Sequence, residues 1–313
     1  EIVPRDWSSD VCSSDLVSNY IRVLKTDSAG HLWIGTFDGL SIRDPRSGRF
    51  ERYVHTSEPG SLSHNSIRSI FIDAQRGVWL GTYYGGVSYY HPLARRFGAL
   101  RHDPTRNSLG DNTVSCIVED PESGSLWIGT NDDGVNLYDR RTGRFSEFNT
   151  ASGSLLSNNV KCVLPDGRGR VWIGTHAGGL SSMDAATRRV RHYPVNASIP
   201  INNSCYALLD GGDGTLWVGT LNGLLSFDTA AGRFSRHLCA DYEPRLGSLQ
   251  ITTLFRDSKN RVWIGTGAGL YLWQPDVRQV MTCELTPVKD ETSPPRRDIT
   301  VMCVTEDSHR NIW

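Results

Sequence analysis

A glycine-rich segment near the C-terminal end is the feature of this sequence that comes nearest to a cofactor-binding motif. Gly265-Thr266-Gly267-Ala268-Gly269 resembles part of the G-x-G-x-x-G fingerprint, whose glycines let a backbone approach a pyrophosphate. That fingerprint must open a helix, whereas this segment is incomplete and runs into Leu270–Trp273, which indicates a strand. We therefore predict no bound cofactor.

A second cluster, Asn131-Asp132-Asp133-Gly134, offers oxygen ligands of the kind that Ca²⁺ prefers. It lacks the spaced ligands and the terminal glutamate of a calcium loop, so an ordinary turn explains it better. The nine histidines do not cluster with acidic residues at metal-ligand spacing, and no zinc-protease, nucleophile-elbow or Walker motif occurs. The sequence predicts no metal site, no catalytic residue and hence no enzyme activity.

The seven cysteines include no C-x-x-C pair. Cys116, Cys162 and Cys303 each lie four residues before the acidic residue that ends a predicted strand. Valine, serine and threonine occupy that position elsewhere, so it requires a small buried side chain, which a free cysteine provides. We predict a structural role for these three residues.

The composition, 38% apolar and 21% charged, is that of an ordinary globular protein. A net charge of −1 gives neither a basic field for nucleic acid nor a polybasic face for a membrane. No apolar run approaches the ~18 residues of a membrane span, and no signal peptide is recognisable.

The strongest pattern is a five-residue motif, apolar-Trp-apolar-Gly-Thr, that recurs along the chain and that we call the tryptophan phrase. Its tryptophans are Trp33, Trp79, Trp127, Trp172, Trp217 and Trp263, and a seventh copy stops at Trp313. Successive tryptophans are 46, 48, 45, 45, 46 and 50 residues apart, which is the period of propeller blades. A blade must bury its faces against its neighbours, so we interpret the phrase as a structural signature.

The second repeat shows the expected anatomy of one blade. Strand A is predicted at 67–73, strand B at 78–83, strand C at 87–90 and strand D at 97–101, separated by turns rich in Gly and Asp. An asparagine stands eight residues before the strand-closing Asp in five repeats, where we expect it to bond the turn and the strand entry. These asparagines are Asn19, Asn65, Asn112, Asn158 and Asn202.

These patterns predict an all-β fold, a β-propeller of four-stranded antiparallel blades with six complete blades and the start of a seventh. Residues 1–15 match no other repeat, and we interpret them as a non-native, disordered leader. The propeller domain is expected over 16–313, and the interrupted last phrase predicts a part of a longer protein. The predicted blades are 16–62, 63–109, 110–156, 157–201, 202–248 and 249–298, with a partial blade at 299–313.

The composite repeat resembles the two-component regulator propeller repeat. The resemblance rests on Ser61-Leu62-Ser63-His64-Asn65, on 107–112 and on 154–158, each followed by the tryptophan phrase. A departure is Ser204, which stands where the repeat has Val or Ile.

The resemblance implies the periplasmic sensor region of a hybrid two-component histidine kinase, which commonly senses oligosaccharides. It also implies that a further propeller, a membrane anchor and a kinase lie elsewhere in the full-length protein. A homodimer is left open.

The candidate ligand contacts lie in the turns between strands B and C, where the repeats stop agreeing. Aromatic rings beside amides and carboxylates suit a sugar, because the sugar's apolar face stacks while its hydroxyls take hydrogen bonds. The candidates are Phe37, Asp38, Tyr83, Tyr84, Asn131, Asp132, His176 and Asn222.

The leading interpretation is a non-catalytic sensor propeller that binds a small polar ligand. Two alternatives stay open, a propeller enzyme of the lyase or lactonase kind and a protein-interaction or dimerisation scaffold. A converging acid–base set would favour the enzyme, and an exposed apolar patch would favour the scaffold.

Overall fold

The computed structural model describes residues 16–91, 93, 96–195, 203–237, 239–283 and 299–313. The described residues form six four-stranded antiparallel sheets, each a simple meander in chain order. The fold is therefore all-β, as predicted. The leader at 1–15 lies outside the described residues.

The strand bounds follow the tryptophan phrase, which forms the second strand of every sheet. Blade 1 contains β1 Ile21–Thr26, β2 Leu32–Thr36, β3 Leu40–Arg43 and β4 Phe50–Tyr53. Blade 2 contains β5 Ile67–Ile72, β6 Val78–Thr82, β7 Val87–Tyr90 and β8 Phe97–Leu100. Blade 3 contains β9 Val114–Glu119, β10 Leu126–Thr130, β11 Val135–Asp139 and β12 Arg144–Phe148.

The last three complete blades repeat this order. Blade 4 contains β13 Val160–Pro165, β14 Arg170–Thr175, β15 Gly179–Asp184 and β16 Val190–Tyr193. Blade 5 contains β17 Cys205–Asp210, β18 Thr215–Thr220, β19 Gly223–Asp228 and β20 Arg233–Arg236. Blade 6 contains β21 Ile251–Arg256, β22 Val262–Thr266, β23 Gly269–Gln274 and β24 Gln279–Cys283. Between these two blades lie a helical turn, α1 Cys239–Tyr242, and a 3₁₀ turn, Pro244–Gly247.

The first strand of each blade packs beside the first strand of the next, so these strands line the inside of the ring. Every such strand carries a β-bulge at its second residue. In blade 1, Ile21 pairs with Thr36 and Val23 pairs with Gly35, which leaves Arg22 as the extra residue. The equivalent bulged residues are Arg68, Ser115, Lys161, Tyr206 and Thr252.

The tryptophans of the six complete phrases are buried, and each packs against the blade or segment that follows it. Trp127 has no exposed surface and contacts Val160 and Val171 of blade 4 within one apolar cluster. In blades 1, 2, 3 and 6 its indole Nε1 also donates to the Asp that ends strand A, as Trp127 does to Asp120 at 2.9 Å. The sequence predicted that this Asp ends strand A, but it did not predict the hydrogen bond from the indole.

The phrase glycine occupies the closest point between blades. A Cβ on Gly129 would lie 2.6 Å from the Cys116 Sγ of its own blade and 2.8 Å from Val160 Cγ1 of the next. The equivalent Gly265 of blade 6 faces Val301 at 3.0 Å. The small residue at the cysteine position is thus required by the glycine opposite it.

Residues 299–313 lie between blades 6 and 1, in the seventh position of the ring. The Val301 amide donates to the Thr266 carbonyl at 3.0 Å, and Thr26 Oγ1 of blade 1 donates to the Glu306 carbonyl at 2.7 Å. Glu306 also pairs with Ile312 in an antiparallel bridge.

In blade 5 the register of the repeat is shifted by one residue from the prediction. Cys205 pairs with Thr220 at the strand entry, so Cys205, not Ser204, occupies the Val/Ile position. Asn203 takes the strand-entry role and accepts from the Val195 amide at 2.7 Å, while Asn202 lies outside the described residues. The residue that follows strand A donates its amide across the A–B turn. It is an Asp in the other blades but Gly211 in blade 5, so counting from the nearest Asp misplaces the register by one residue.

In blades 2 to 4 the strand-entry prediction is confirmed. The side-chain Oδ1 atoms of Asn65, Asn112 and Asn158 accept from backbone amides across the preceding loop at 2.5–2.8 Å. Each asparagine therefore fastens the loop that enters its blade.

Candidate functional site

The turns between strands B and C have a constant frame and variable tips. In all six blades the phrase threonine donates its hydroxyl to the carbonyl of the glycine that ends the turn, at 2.7–3.2 Å. This bond fixes the backbone while the tip residues differ. These turns and the loops between blades lie on one face, which we call the tip face.

Two tyrosines form the tip of blade 2. The rings of Tyr83 and Tyr84 are 4.1 Å apart between centroids, and the Tyr84 hydroxyl donates to the Tyr83 oxygen at 3.3 Å. Tyr84 adopts a left-handed backbone with φ of 77° and is 64% exposed. His64 lies edge-on to the Tyr84 ring at 6.3 Å, so Tyr84 presents an exposed aromatic surface in an ordered setting.

The polar candidates of blade 3 lie beside this aromatic pair. Asn131 Oδ1 accepts from Lys161 Nζ at 3.5 Å, and Asp132 is held through its carbonyl, which accepts from the Asn158 side chain at 2.9 Å. Burial raises the pKa of the neighbouring Asp111, and the charge of Asp132 raises it further. The structure thus joins Asn131 to a cation of blade 4 and places two carboxylates close together.

His176 of blade 4 contacts blade 5 rather than standing alone in solvent. Its Nδ1 lies 3.2 Å from both Ser204 Oγ and Tyr206 Oη, and its ring is edge-on to that of Tyr206. His176 therefore lies beside Tyr206, the bulged residue of the innermost strand of blade 5.

The remaining candidates are less closely connected. Phe37 of blade 1 is 50% exposed and lies under the Arg22 guanidinium, 4.9 Å from Cζ to the ring centroid. Asp38 and Asn222 are exposed, and each donates its backbone amide to the phrase threonine of its blade. Among the described residues, no hydrogen bond joins the side chain of either one to the tips of blades 2 to 4.

The bulged residues were not predicted from the sequence, and three of them are cations that approach the tips. Arg22 covers Phe37, Arg68 covers the Tyr83 ring at 5.0 Å, and Lys161 lies 5.9 Å from the Tyr206 ring. The available signal was their shared place, the second residue of each innermost strand.

The described residues contain no group of three or more His, Cys, Asp or Glu side chains placed to hold a metal ion. No helix within the described part of the chain has the length and apolar character needed to cross a membrane. Thr266 ends β22 and Gly269 begins β23, so the glycine-rich segment joins two strands, as its sequence context indicated.

A cleft of about 820 Å³ opens between blades 2 and 3 on the opposite face. Arg140 from blade 3 crosses it to reach Asp73 Oδ2 at 3.0 Å and also pairs with Glu119. Asp73 in addition accepts from the Trp79 indole, so this cleft is spanned by bonds that tie the two blades together.

The chain matches the family model of the two component regulator propeller in five segments. These are residues 15–38, 61–84, 108–132, 154–177 and 245–268. Each complete blade except blade 5 contains a matched segment, and all four strands of blade 5, whose register is shifted, lie in the unmatched stretch between 178 and 244. No curated protein matches the chain.

Solved structures share the fold. The extracellular domain described for hybrid two component system BT3049 of B. thetaiotaomicron superposes with a TM-score of 0.82 at 23% identity, over 97% of this chain and 39% of that one. The extracellular domain of BT4673 from the same organism gives 0.73 at 19% identity, over 94% and 36%. PorZ, a surface component of the type-IX secretion system of Porphyromonas gingivalis, gives 0.66 at 16%, over 93% and 44%.

The chain spans about two fifths of the length of these proteins. At such identities the likeness establishes the fold, while the five matched segments identify the repeat. The protein is therefore a β-propeller, and five segments of its chain match the two component regulator propeller.

Proposed function

We propose that this propeller is the non-catalytic ligand-sensing region of a two-component signalling receptor and that it recognises an oligosaccharide on its tip face. The observation that carries the proposal is the pairing of an exposed aromatic surface at Tyr84 with amide and carboxylate groups at Asn131 and Asp132. These groups are presented by turns of fixed frame, and rigid presentation limits the entropy lost on binding.

The setting agrees with that role. Two of the similar structures are extracellular domains of two component systems, which supports a periplasmic location for this region. We propose that the full-length protein also contains a further propeller, a membrane anchor and a kinase, since the relatives are more than twice as long. A homodimer would let two such sensors report together.

The test is a thermal-shift screen of the chain against defined oligosaccharides. A ligand at 100 times its Kd stabilises a protein by about 2.7 kcal/mol, which gives a clear rise in melting temperature. We expect Tyr84→Ala to weaken binding of the best oligosaccharide about five- to tenfold through loss of ring contact. The control is Val277→Ala, which removes a similarly exposed apolar side chain (63% exposed) beyond strand C of blade 6.

If Tyr84→Ala and Val277→Ala bound the oligosaccharide with equal affinity, the tip face would not be the binding site. Stabilisation by a metal ion or a small metabolite, with no response to any oligosaccharide, would overturn the sensor assignment. It would favour the enzyme class instead.

A further inference from the structure

Three cations converge at the mouth of the central channel. Arg22, Arg68 and Lys161 are the bulged residues of blades 1, 2 and 4, and a bulge re-aims its extra side chain away from the ladder. Blade 3 lies between Arg68 and Lys161 and carries the small Ser115 at this position. No side chain longer than that of serine therefore stands at the bulge position between the two cations.

These cations affect one another. Burial lowers the pKa of the Arg22 guanidinium, and the charge of Arg68 lowers it further. Burial likewise lowers the pKa of Lys161, and the same Arg68 charge adds to that effect, while Asp132 acts in the opposite direction. The three groups thus share one electrostatic field.

No carboxylate of the described residues lies within ion-pair distance of Arg22, Arg68 or Lys161. The B–C turns of the tip face carry Asp38 in blade 1 and Asp132 and Asp133 in blade 3, and none of the three forms an ion pair with Arg22 or Arg68. Like charges held together without a counter-ion repel one another, so an anion placed between them gains free energy.

The arginines are also oriented. The flat guanidinium of Arg22 covers Phe37 and that of Arg68 covers Tyr83, which restricts each side chain and leaves its N–H edges available. Such edges bond carboxylate or sulfate oxygens in pairs.

Buried polar atoms without a partner accompany the cations. The Ser66 hydroxyl, in a residue only 2% exposed, and the Asn159 amide oxygen find no hydrogen-bond partner among the described residues. Each residue stands two positions before a cation, Ser66 before Arg68 and Asn159 before Lys161. Buried polar groups are ordinarily hydrogen-bonded. A polar ligand at the channel mouth would supply the hydrogen bonds that these two groups lack within the described residues.

We propose that the channel mouth binds the anionic group of an acidic saccharide, with the carboxylate or sulfate between Arg22 and Arg68 and the sugar ring against Tyr84. The proposal rests on the proposed function and narrows its ligand class. Phe37 and Tyr83 act as positioning residues for the guanidinium groups, while Lys161 and Asn131 contact the next sugar unit.

The experiment is calorimetric titration of the chain with three sets of oligosaccharides. One set carries carboxylates (oligogalacturonate, alginate and hyaluronan fragments), one carries sulfates (chondroitin sulfate and heparin fragments), and one is neutral (galactan, xylan and levan fragments). We expect an acidic set to bind at least tenfold more tightly than the neutral set. Which acidic set prevails distinguishes a carboxylate from a sulfate.

Paired variants localise the effect. R22Q/R68Q should weaken acidic binding by a hundredfold or more, about tenfold for each guanidinium removed, and should flatten its salt dependence. The control R49Q/R144Q removes the same charge from exposed arginines that begin or precede the fourth strands of blades 1 and 3, away from the tip face.

The outcomes separate the two proposals. Preferred binding of a neutral oligosaccharide, lost in Tyr84→Ala but kept in R22Q/R68Q, would overturn the acidic ligand and leave the sensor assignment standing. Absence of binding by all three sets would overturn both. Equal loss in R22Q/R68Q and R49Q/R144Q would show a general charge effect and overturn the site.

Discussion

The contact between two neighbouring blades, which we call the seam, should be destabilised if the glycine of the phrase gains a single methyl group. Gly129→Ala places a Cβ 2.6 Å from Cys116 Sγ and 2.8 Å from Val160 Cγ1, about 0.6–0.8 Å short of ordinary contact. Both neighbours are on innermost strands and cannot swing away. Overpacking of this kind costs about 1–3 kcal/mol, so the free energy of unfolding in urea should fall by that amount.

The control is Gly98→Ala. Gly98 is exposed on the outer strand of blade 2, and its Cβ would meet nothing nearer than the Tyr89 carbonyl at 3.9 Å. The substitution should be neutral or stabilise the protein by up to about 0.5–1 kcal/mol, because alanine loses less backbone entropy.

A double-mutant cycle shows whether the strain crosses the seam. Val160→Ala alone is destabilising because it opens a cavity at a fully buried site. Combined with Gly129→Ala, it removes the clashing methyl of blade 4, so the double variant should be more stable than the sum predicts by at least about 0.5 kcal/mol. Full stability of Gly129→Ala, or strict additivity, would refute the role of the glycine at the seam.

Two further predictions concern charge. Arg140→Met removes the bond to Asp73, whose side chain is only 3% exposed, and should lower the free energy of unfolding by about 1–3 kcal/mol, whereas the exposed Arg141→Met should not. Burial lowers the pKa of His237 to about 4, below the unfolded value of about 6.5, so its contribution is complete above pH 6.5 and is lost as the pH falls toward 4. Between pH 7.5 and 5 stability should drop by about 2 kcal/mol, a slope that His237→Gln should lack; an unchanged slope would contradict this assignment.

The sequence predicted the fold because its signals are local and repeated. The turn glycines, the tryptophan phrase and the strand lengths recur from blade to blade. An error in assigning one repeat is therefore corrected by comparison with the others. The strands of blade 2 were placed to within one residue at each end.

The errors arose where a repeat carries its own deviation. Blade 5 has Asp210 inside its first strand and a glycine where the other blades have the closing Asp, so counting back from Asp210 gave Asn202 in place of Asn203. Only pairing with the second strand reveals the true register.

The meeting of the bulged cations could not be predicted from the sequence alone, although their shared position in the repeat could be read from it. Arg22, Arg68 and Lys161 are separated by more than 40 residues from one another, and their meeting depends on the closure of the ring and on a bulge that sequence spacing does not mark. The tip residues were easier to find, since they follow the phrase directly.

Every seam joins the back of one blade to the front of the next, and none joins two equivalent surfaces. In the language of symmetry these contacts are heterologous, and a heterologous series ends only when its rotation returns to the start. The segment at 299–313 makes that return between blades 6 and 1. An oversized side chain at one seam therefore adds an angular error that all the other seams must absorb, so the number of blades is a property of the whole circle rather than of any single repeat.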